Sequence, residues 1–305
     1  MPTFKKRIAL LCGGNSPERE VSLKGGQAVK RALLSRGYQV EVFDPPADLP
    51  KLALRAGEFD LAFLVLHGPG GEDGTIQGFL DSVGLPYQGA GVLGSALAMD
   101  KALSKLLYRE SGLEVPLATV LQKGEIPQRV PGFPLVVKPV SQGSSVGISL
   151  VQNERDLLLA LKKAFCFEER VLLEEYIAGR ELTVAVLGEE ALPVVEIIPG
   201  EGHLFFDYEA KYTPGLTKEI CPASLPEELA RKAQEAALLA HKALRLRHYS
   251  RTDFILSPDG RLLVLETNTI PGMTETSLLP LAARVAGFSF EDLVEKLVNL
   301  ATAGL

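Results

Sequence analysis

Residues 59–66 read Phe-Asp-Leu-Ala-Phe-Leu-Val-Leu, an almost unbroken apolar run. Such a run, with no polar alternation, suits a strand buried on both faces of a parallel sheet. Arg7 to Leu11 is a shorter run of the same kind, closed by Gly13-Gly14-Asn15. Helical spacing follows from Glu18 or Glu20 to Ser35, with Gly37 placed as a C-cap, and Gln39 to Phe43 supplies another strand. This order predicts an open α/β domain over residues 1–100. Ligands of such sheets gather beyond the carboxyl ends of the strands. Gly13 to Glu18 follows the first strand and His67 the third, so both fall there.

The chain has 305 residues, 46% hydrophobic and 23% charged, with a net charge of -6. That mixture supports a large core and speaks against disorder. It offers no field for a polyanion, so no nucleic-acid partner is expected. The run Arg245, Arg247, His248, Arg251 reads as the exposed end of a helix, with Arg251 the member placed to face an acidic site. Cys12, Cys166 and Cys221 are widely spaced and form no CxxC pair, which suits thiols in a reducing compartment. No signal-peptide pattern follows the first residues and no apolar run approaches the length of a membrane span, so a cytoplasmic protein with no membrane partner is expected.

A helix from Lys101 to Glu110 opens a second unit, residues 101–180. It has strands at Pro116 to Leu121, Pro134 to Lys138, Gly147 to Val151 and Val171 to Tyr176, and a helix from Glu154 to Phe165. A third unit, residues 181–305, carries strands at Leu182 to Leu187 and Ala191 to Ile197, and a helix striped by Leu229, Ala233, Ala237, Ala240 and Leu244. It closes with a helix from Phe290 to Leu300. Residues 200–221 show no sustained periodicity, as a mobile cover over a site would.

The third unit also holds the most pointed chemistry. Ile255 to Ser257, the turn Pro258-Asp259-Gly260 and Leu262 to Leu265 predict a β-hairpin whose far ends bring Asp253 towards Glu266. Asn268 alternates with Glu266 and shares its side of the strand. Oxygen donors of this kind suit a hard divalent cation that bridges protein to phosphate, although a lone Asp and a lone Glu are more often solvated acids. Lys138 ends a strand and is followed by the small-residue run Gln142-Gly143-Ser144-Ser145, a pairing that suits phosphate or simply a turn beside a surface lysine. There is no GxxxxGK[ST] and no GxGxxG, which removes the P-loop and the dinucleotide fingerprint. Glu174-Glu175-Tyr176-Ile177 ends a strand and offers backbone groups to a base edge, or is a plain polar strand end. His67 opens a stretch with four glycines in eight residues, which allows either close approach to a ligand or tight turns.

Six motifs together resemble one family. They are Gly13 to Ser22, His67 to Gly74, Met99-Asp100-Lys101, Lys138 with Gly143 to Gly147, Asp207 to Tyr212, and Glu266 to Thr274. In this order and spacing, across nearly the whole chain, they resemble the D-alanine–D-alanine ligases of the ATP-grasp superfamily. The resemblance implies a three-domain ATP-grasp fold, α/β and α+β, with an N-terminal open parallel-sheet domain. It implies ATP-dependent joining of two D-alanines through a D-alanyl phosphate, for peptidoglycan precursors. The implied cofactors are ATP, two Mg²⁺ for which Mn²⁺ substitutes, and K⁺ as activator; the implied assembly is a homodimer.

Residue by residue, the resemblance makes Lys101 and Lys138 the phosphate lysines and the loop with Ser144 and Ser145 the phosphate cover. It makes Glu174, Tyr176 and Ile177 adenine contacts and Glu181 the ribose carboxylate, and places Lys211 at the nucleotide. Asp253, Glu266 and Asn268 match the metal ligands, with Glu266 bridging. Glu18 matches the carboxylate on the first ammonium group, and Ser277 and Leu278 the seat of the second substrate's carboxylate. Arg251 and the Gly272 backbone match the oxyanion pair. Glu18, Ser144 and Tyr212 match a hydrogen-bonded latch, with His67 expected to orient substrate and stabilise charge or, as the alternative, to act as the base. Lys211-Tyr212 resembles the amide-forming members more than those that make an ester.

Overall fold

The structure is a computed structural model and describes residues 5–127, 130–143, 146–200 and 217–303. The N-terminal segment forms β1 (Arg7–Leu11), α1 (Arg19–Ser35), β2 (Gln39–Phe43), α2 (Leu49–Arg55), β3 (Leu61–Leu64) and α3 (Thr75–Ser82). Its three strands lie parallel in the order β2-β1-β3, with Ile8 paired to both Val40 and Leu61. Successive residues of β1 and β3 enter different cores. Ile8, Leu10, Leu61 and Phe63 pack to one side, and Ala9, Leu11, Ala62 and Leu64 to the other. That two-sided burial is why the run at 59–66 lacks polar alternation.

α4 (Val92–Met99) and α5 (Lys101–Glu110) lead into a four-stranded antiparallel sheet, β4 (Ala118–Gln122), β5 (Leu135–Pro139), β6 (Ser149–Val151) and β7 (Arg170–Glu175), ordered β4-β7-β5-β6. Asp100 caps α5, accepting from the Ala102 and Leu103 amides. α6 (Glu154–Ala164) covers one face of this sheet, burying Leu157, Ala160, Leu161 and Ala164.

The second antiparallel sheet runs β11-β10-β8-β12-β13, with β9 joined to β8. Its strands are β8 (Arg180–Leu187), β9 (Glu190–Ala191), β10 (Val195–Pro199), β11 (Thr217–Ile220), β12 (Tyr249–Leu256) and β13 (Leu262–Asn268). α7 (Glu227–Ala243) packs its alanine stripe on this sheet, and α8 (Leu278–Val285) and α9 (Phe290–Thr302) close the chain.

Three expectations change here. The strand expected from Ala191 to Ile197 is broken into β9 and β10, because Pro193 between them has no amide to give a ladder. The stretch 200–221, expected without regular structure, ends in β11, whose residues pair antiparallel with β10 from Glu196↔Ile220 to Pro199↔Thr217. Residues 201–216 lie outside the described ones. The Arg245 to Arg251 run is also not one helix end: α7 stops at Ala243, Arg245 and His248 take positive φ, and Arg251 lies inside β12.

α8 and α9 return to the N-terminal segment. Leu293, Val294, Leu297 and Val298 of α9 share a core with Ile8, Leu10, Val29 and Leu33. Arg36 at the end of α1 pairs with Asp292 and Glu295. No helix among the described residues is long and apolar enough to cross a membrane.

Candidate active site

Two adjoining cavities hold the chemistry-bearing side chains. One is a slot between the two antiparallel sheets, floored by Val136, Ile148, Leu182, Ile197, Phe254 and Leu265, with Lys138, Tyr176, Ile177, Glu181, Asp253 and Glu266 around it. An apolar slot with a few polar groups at one end suits a flat base with charged groups attached.

Asp253 and Glu266 are direct cross-strand partners on β12 and β13. The register shifts between Asp253 and Phe254, so that Phe254 faces Val264 and Leu265 is the extra residue. A bulge of this kind re-aims side chains beside a site. Asp253 is held on several sides. Arg251 donates from Nε to Oδ1 at 2.9 Å and from Nη2 to Oδ2 at 2.8 Å, the Thr183 hydroxyl donates to Oδ1 at 2.5 Å, and the Asn268 amide donates to Oδ2 at 3.0 Å. Thr267 points the other way, with its hydroxyl 2.7 Å from that of buried Tyr108. Among the described residues no three His, Cys, Asp or Glu side chains gather as a metal cluster. The donor set here is two carboxylates and one amide.

Across the slot stand lysines. Lys101, at the start of α5, donates to the Gln142 carbonyl at 2.6 Å and lies 3.8 Å from Glu266. Lys138 donates to Oε1 of Glu174 at 2.7 Å. Glu174, expected as an adenine contact, lines the slot, but both its carboxylate oxygens meet lysines, the second being Lys105 at 2.6 Å. Burial opposes its charge, yet the two ammonium groups outweigh burial and hold its carboxyl below the ordinary value.

The second cavity opens at the carboxyl ends of β1 and β3 and reaches Arg251, Asn268, Gly272, Ser277 and Leu278. Glu18 precedes α1, is buried, and its carboxylate approaches the backbone of Gly68 and Gly143. Gly68 has φ +68°, and a Cβ there would come within 3.2 Å of the Glu18 carboxylate, so both turn and site require glycine. His67 is buried, and among the described residues its Nε2 has no hydrogen-bond partner. Burial lowers its pKa, with Arg251 adding to the effect, while Glu18 and a hydrogen bond to the Ile270 backbone oppose it. The ring is therefore neutral at pH 7. In that state the ring can orient substrate or accept a proton.

Ser277 precedes α8, and no side chain caps that helix. The Ser277 hydroxyl lies 2.7 Å from that of Thr274 and accepts from the Thr274 amide at 3.1 Å. Since Pro280 has no amide, Leu278 and Leu279 supply the open N–H groups of the first turn, a seat suited to a carboxylate. A Cβ on Gly272 would sit 2.9 Å from the Ser277 hydroxyl, which keeps that turn close to the helix.

Ser144, Ser145, Lys211 and Tyr212 lie outside the described residues. Three participants were not singled out from sequence. Glu72 accepts from the Gly68 amide at 2.7 Å, and burial followed by the nearby Glu18 charge pushes its carboxyl up to about 8. Its place inside the glycine-rich run was the available signal. Glu219 of β11 lines the second cavity, its pKa raised by burial against the pull of Arg251. Lys105 falls four residues after Lys101, on the same face of α5.

The family described as D-ala D-ala ligase C-terminus matches residues 115–299, and its N-terminal counterpart matches residues 47–90. A D-alanine–D-alanine ligase of Desulfotalea psychrophila is 53% identical over 96% of this chain and 94% of its own length. One of Syntrophobacter fumaroxidans is 52% identical over 99% of both chains. The crystal structure of the Bacillus anthracis D-alanine–D-alanine ligase complexed with ATP superposes with a TM-score of 0.86 at 34% identity, covering 98% of each chain. The VanG D-Ala:D-Ser ligase from Enterococcus faecalis superposes at 0.84 with 32% identity, over 98% of this chain and 100% of that one.

Proposed function

The chain belongs to the D-alanine–D-alanine ligases, with an ATP-grasp fold and the ATP-dependent joining of two D-alanines into D-alanyl-D-alanine as its reaction, and from that premise we propose how its residues share the work. ATP lies in the slot between the antiparallel sheets, adenine on the apolar floor near Tyr176 and Ile177, ribose at Glu181, and phosphates towards Lys138 and Lys101. Glu174 serves the nucleotide through the lysine it holds. Both D-alanines occupy the adjoining cavity. Residues 1–100 then form the first-substrate unit, 101–180 the phosphate-loop unit and 181–305 the metal unit with its cover at 200–221.

Asp253, Glu266 and Asn268 fit Mg²⁺ or Mn²⁺, because their donors are hard oxygens gathered by a bulged hairpin and Asp253 already attracts a cationic group, Arg251. Bound there, the metal supplies positive charge at the phosphates. For this, Arg251 exchanges Asp253 for substrate. K⁺ activation, a homodimer and a cytoplasmic location complete the reading; the last suits free thiols and an ATP-consuming step.

The first D-alanine is held by Glu18 through its ammonium group, and its carboxylate attacks the terminal phosphorus of ATP, forming an acyl phosphate and ADP. The second binds its carboxylate at the N-terminus of α8, against Ser277 and Leu278, and its amine attacks the acyl carbon. Arg251 and the Gly272 amide steady the developing oxyanion, and phosphate leaves. His67 Nε2, neutral and bare, is placed to accept an ammonium proton. Ser144, Tyr212 and Glu18 latch the cover, excluding water from the acyl phosphate.

The observation that carries this reading is the pairing of Asp253 with Glu266 opposite Lys101 and Lys138. Incubation with ATP, Mg²⁺ and D-alanine is expected to release phosphate and yield D-alanyl-D-alanine, with D-serine and D-lactate as poorer acceptors. Phosphate release independent of D-alanine would overturn it.

A further inference from the structure

Behind the slot lies a cluster of three charged side chains that the mechanism above uses only in part. Lys105 of α5, Lys138 of β5 and Glu174 of β7 are respectively 3%, 7% and 3% exposed. Glu174 is the bridge: Oε1 meets Lys138 at 2.7 Å and Oε2 meets Lys105 at 2.6 Å. Lys138 and Glu174 line the slot, whereas Lys105 stands behind them, its ammonium reaching the Leu265 carbonyl at 3.4 Å.

A buried carboxylate beside the phosphate subsite is a liability. Alone with Lys138 it would form a neutral pair, holding that ammonium at short range in a poorly screened interior and opposing the triphosphate with its own charge. With a second ammonium on the opposite oxygen the cluster carries a net charge of about +1, counted as two cations and one anion. The carboxylate is then satisfied from behind, and the charge of Lys138 is left uncancelled towards the slot.

We propose that Lys105 is a positioning residue for the phosphate subsite: by neutralising Glu174 from the rear, it leaves the Lys138 charge available to the triphosphate of ATP. This rests on the reading of Lys138 as a phosphate lysine. Lys105 itself touches no nucleotide and is not a catalytic residue.

The test is calorimetric binding of a non-hydrolysable ATP analogue with Mg²⁺, alongside steady-state kinetics, for K105M, K138M and the double variant K105M/E174Q. Methionine keeps the length and burial of Lys105 without its charge, and glutamine keeps the shape of Glu174. K105M is expected to weaken analogue binding roughly tenfold or more, with the KM for D-alanine changed less than about twofold. The double variant restores the net charge and is expected to bind the analogue at least about threefold more tightly than K105M. A merely structural role for Lys105 would not give that recovery. If K138M weakens binding while K105M does not, or if the double variant binds no better than K105M, the role of Lys105 is overturned. If K138M itself binds the analogue normally, the phosphate reading of Lys138 fails first.

Discussion

Glu266 lines the slot and Glu72 the adjoining cavity, and the two carboxylates meet different surroundings. Glu266 faces Asp253 and lies 3.8 Å from the Lys101 ammonium, beside which a cation and a phosphate can both be met. Replacing it with glutamine should lower kcat by roughly a hundredfold or more and raise the Mg²⁺ concentration needed for half-activity, both read in one metal titration. Near-normal turnover would remove Glu266 from the metal site. Glu72 has its carboxyl pushed from 4.5 to about 8, by burial first and by Glu18 next. An acid whose folded pKa lies above its unfolded one binds more protons when folded, so its contribution to stability declines as pH rises from about 4.5 to about 8 and then levels off. His67 acts in the other direction: with its pKa depressed by burial, it costs stability as pH falls below its ordinary 6.5. Chemical unfolding of the unaltered protein and of Glu72→Gln across pH 5 to 9 should show the variant gaining relative stability towards about pH 8. Parallel profiles would show that Glu72 ionises normally.

α8 is the element on which the proposed acceptor seat depends, since its first turn carries open amides and its neighbour Ser277 ties back to Thr274. Ser277→Ala should raise the KM of the second D-alanine roughly tenfold or more, about the worth of one hydrogen bond to a charged group, and leave the KM for ATP nearly unchanged. Equal effects on both would mean that the seat lies elsewhere. Elements with a long or doubly buried pattern were legible in the sequence: β1, α1 and α5 fall where the apolar spacing and caps place them, and so does the hairpin of β12 and β13, while the partly exposed β2 also falls at its expected Gln39–Phe43. α2, α3 and α4 were not, because seven or eight residues give too few turns for a period to show. The bulge at Leu265 is invisible in an alternating pattern, although it decides how Asp253 and Glu266 meet. Lys105 was missed because a lysine is ordinarily solvated, and only tertiary packing buries it against Glu174.

At the scale of the whole molecule, the sequence divides at changes of texture, but the apolar core does not divide at the same places. Ile8, Leu10, Leu33 and Phe63 from the first hundred residues pack in one cluster with Ala185, Leu187 and Ile197 of the second antiparallel sheet and with Leu293 and Leu297 of α9. The N-terminal sheet thus completes one of its two faces with residues nearly the full chain length away, and Arg36 and Lys5 add ion pairs to Asp292 and Glu295 of the same helix. Those exposed pairs contribute little, whereas removing a fully buried leucine side chain costs about 2–5 kcal/mol. Leu297→Ala should therefore lower the stability of the N-terminal sheet and the second antiparallel sheet together. In calorimetry both should unfold in one shifted transition. A segment of residues 1–100 expressed alone would expose the face that α9 covers and should not fold. A folded N-terminal fragment, or a Leu297→Ala melt that splits with only one part shifted, would show that the two sheets are stable independently.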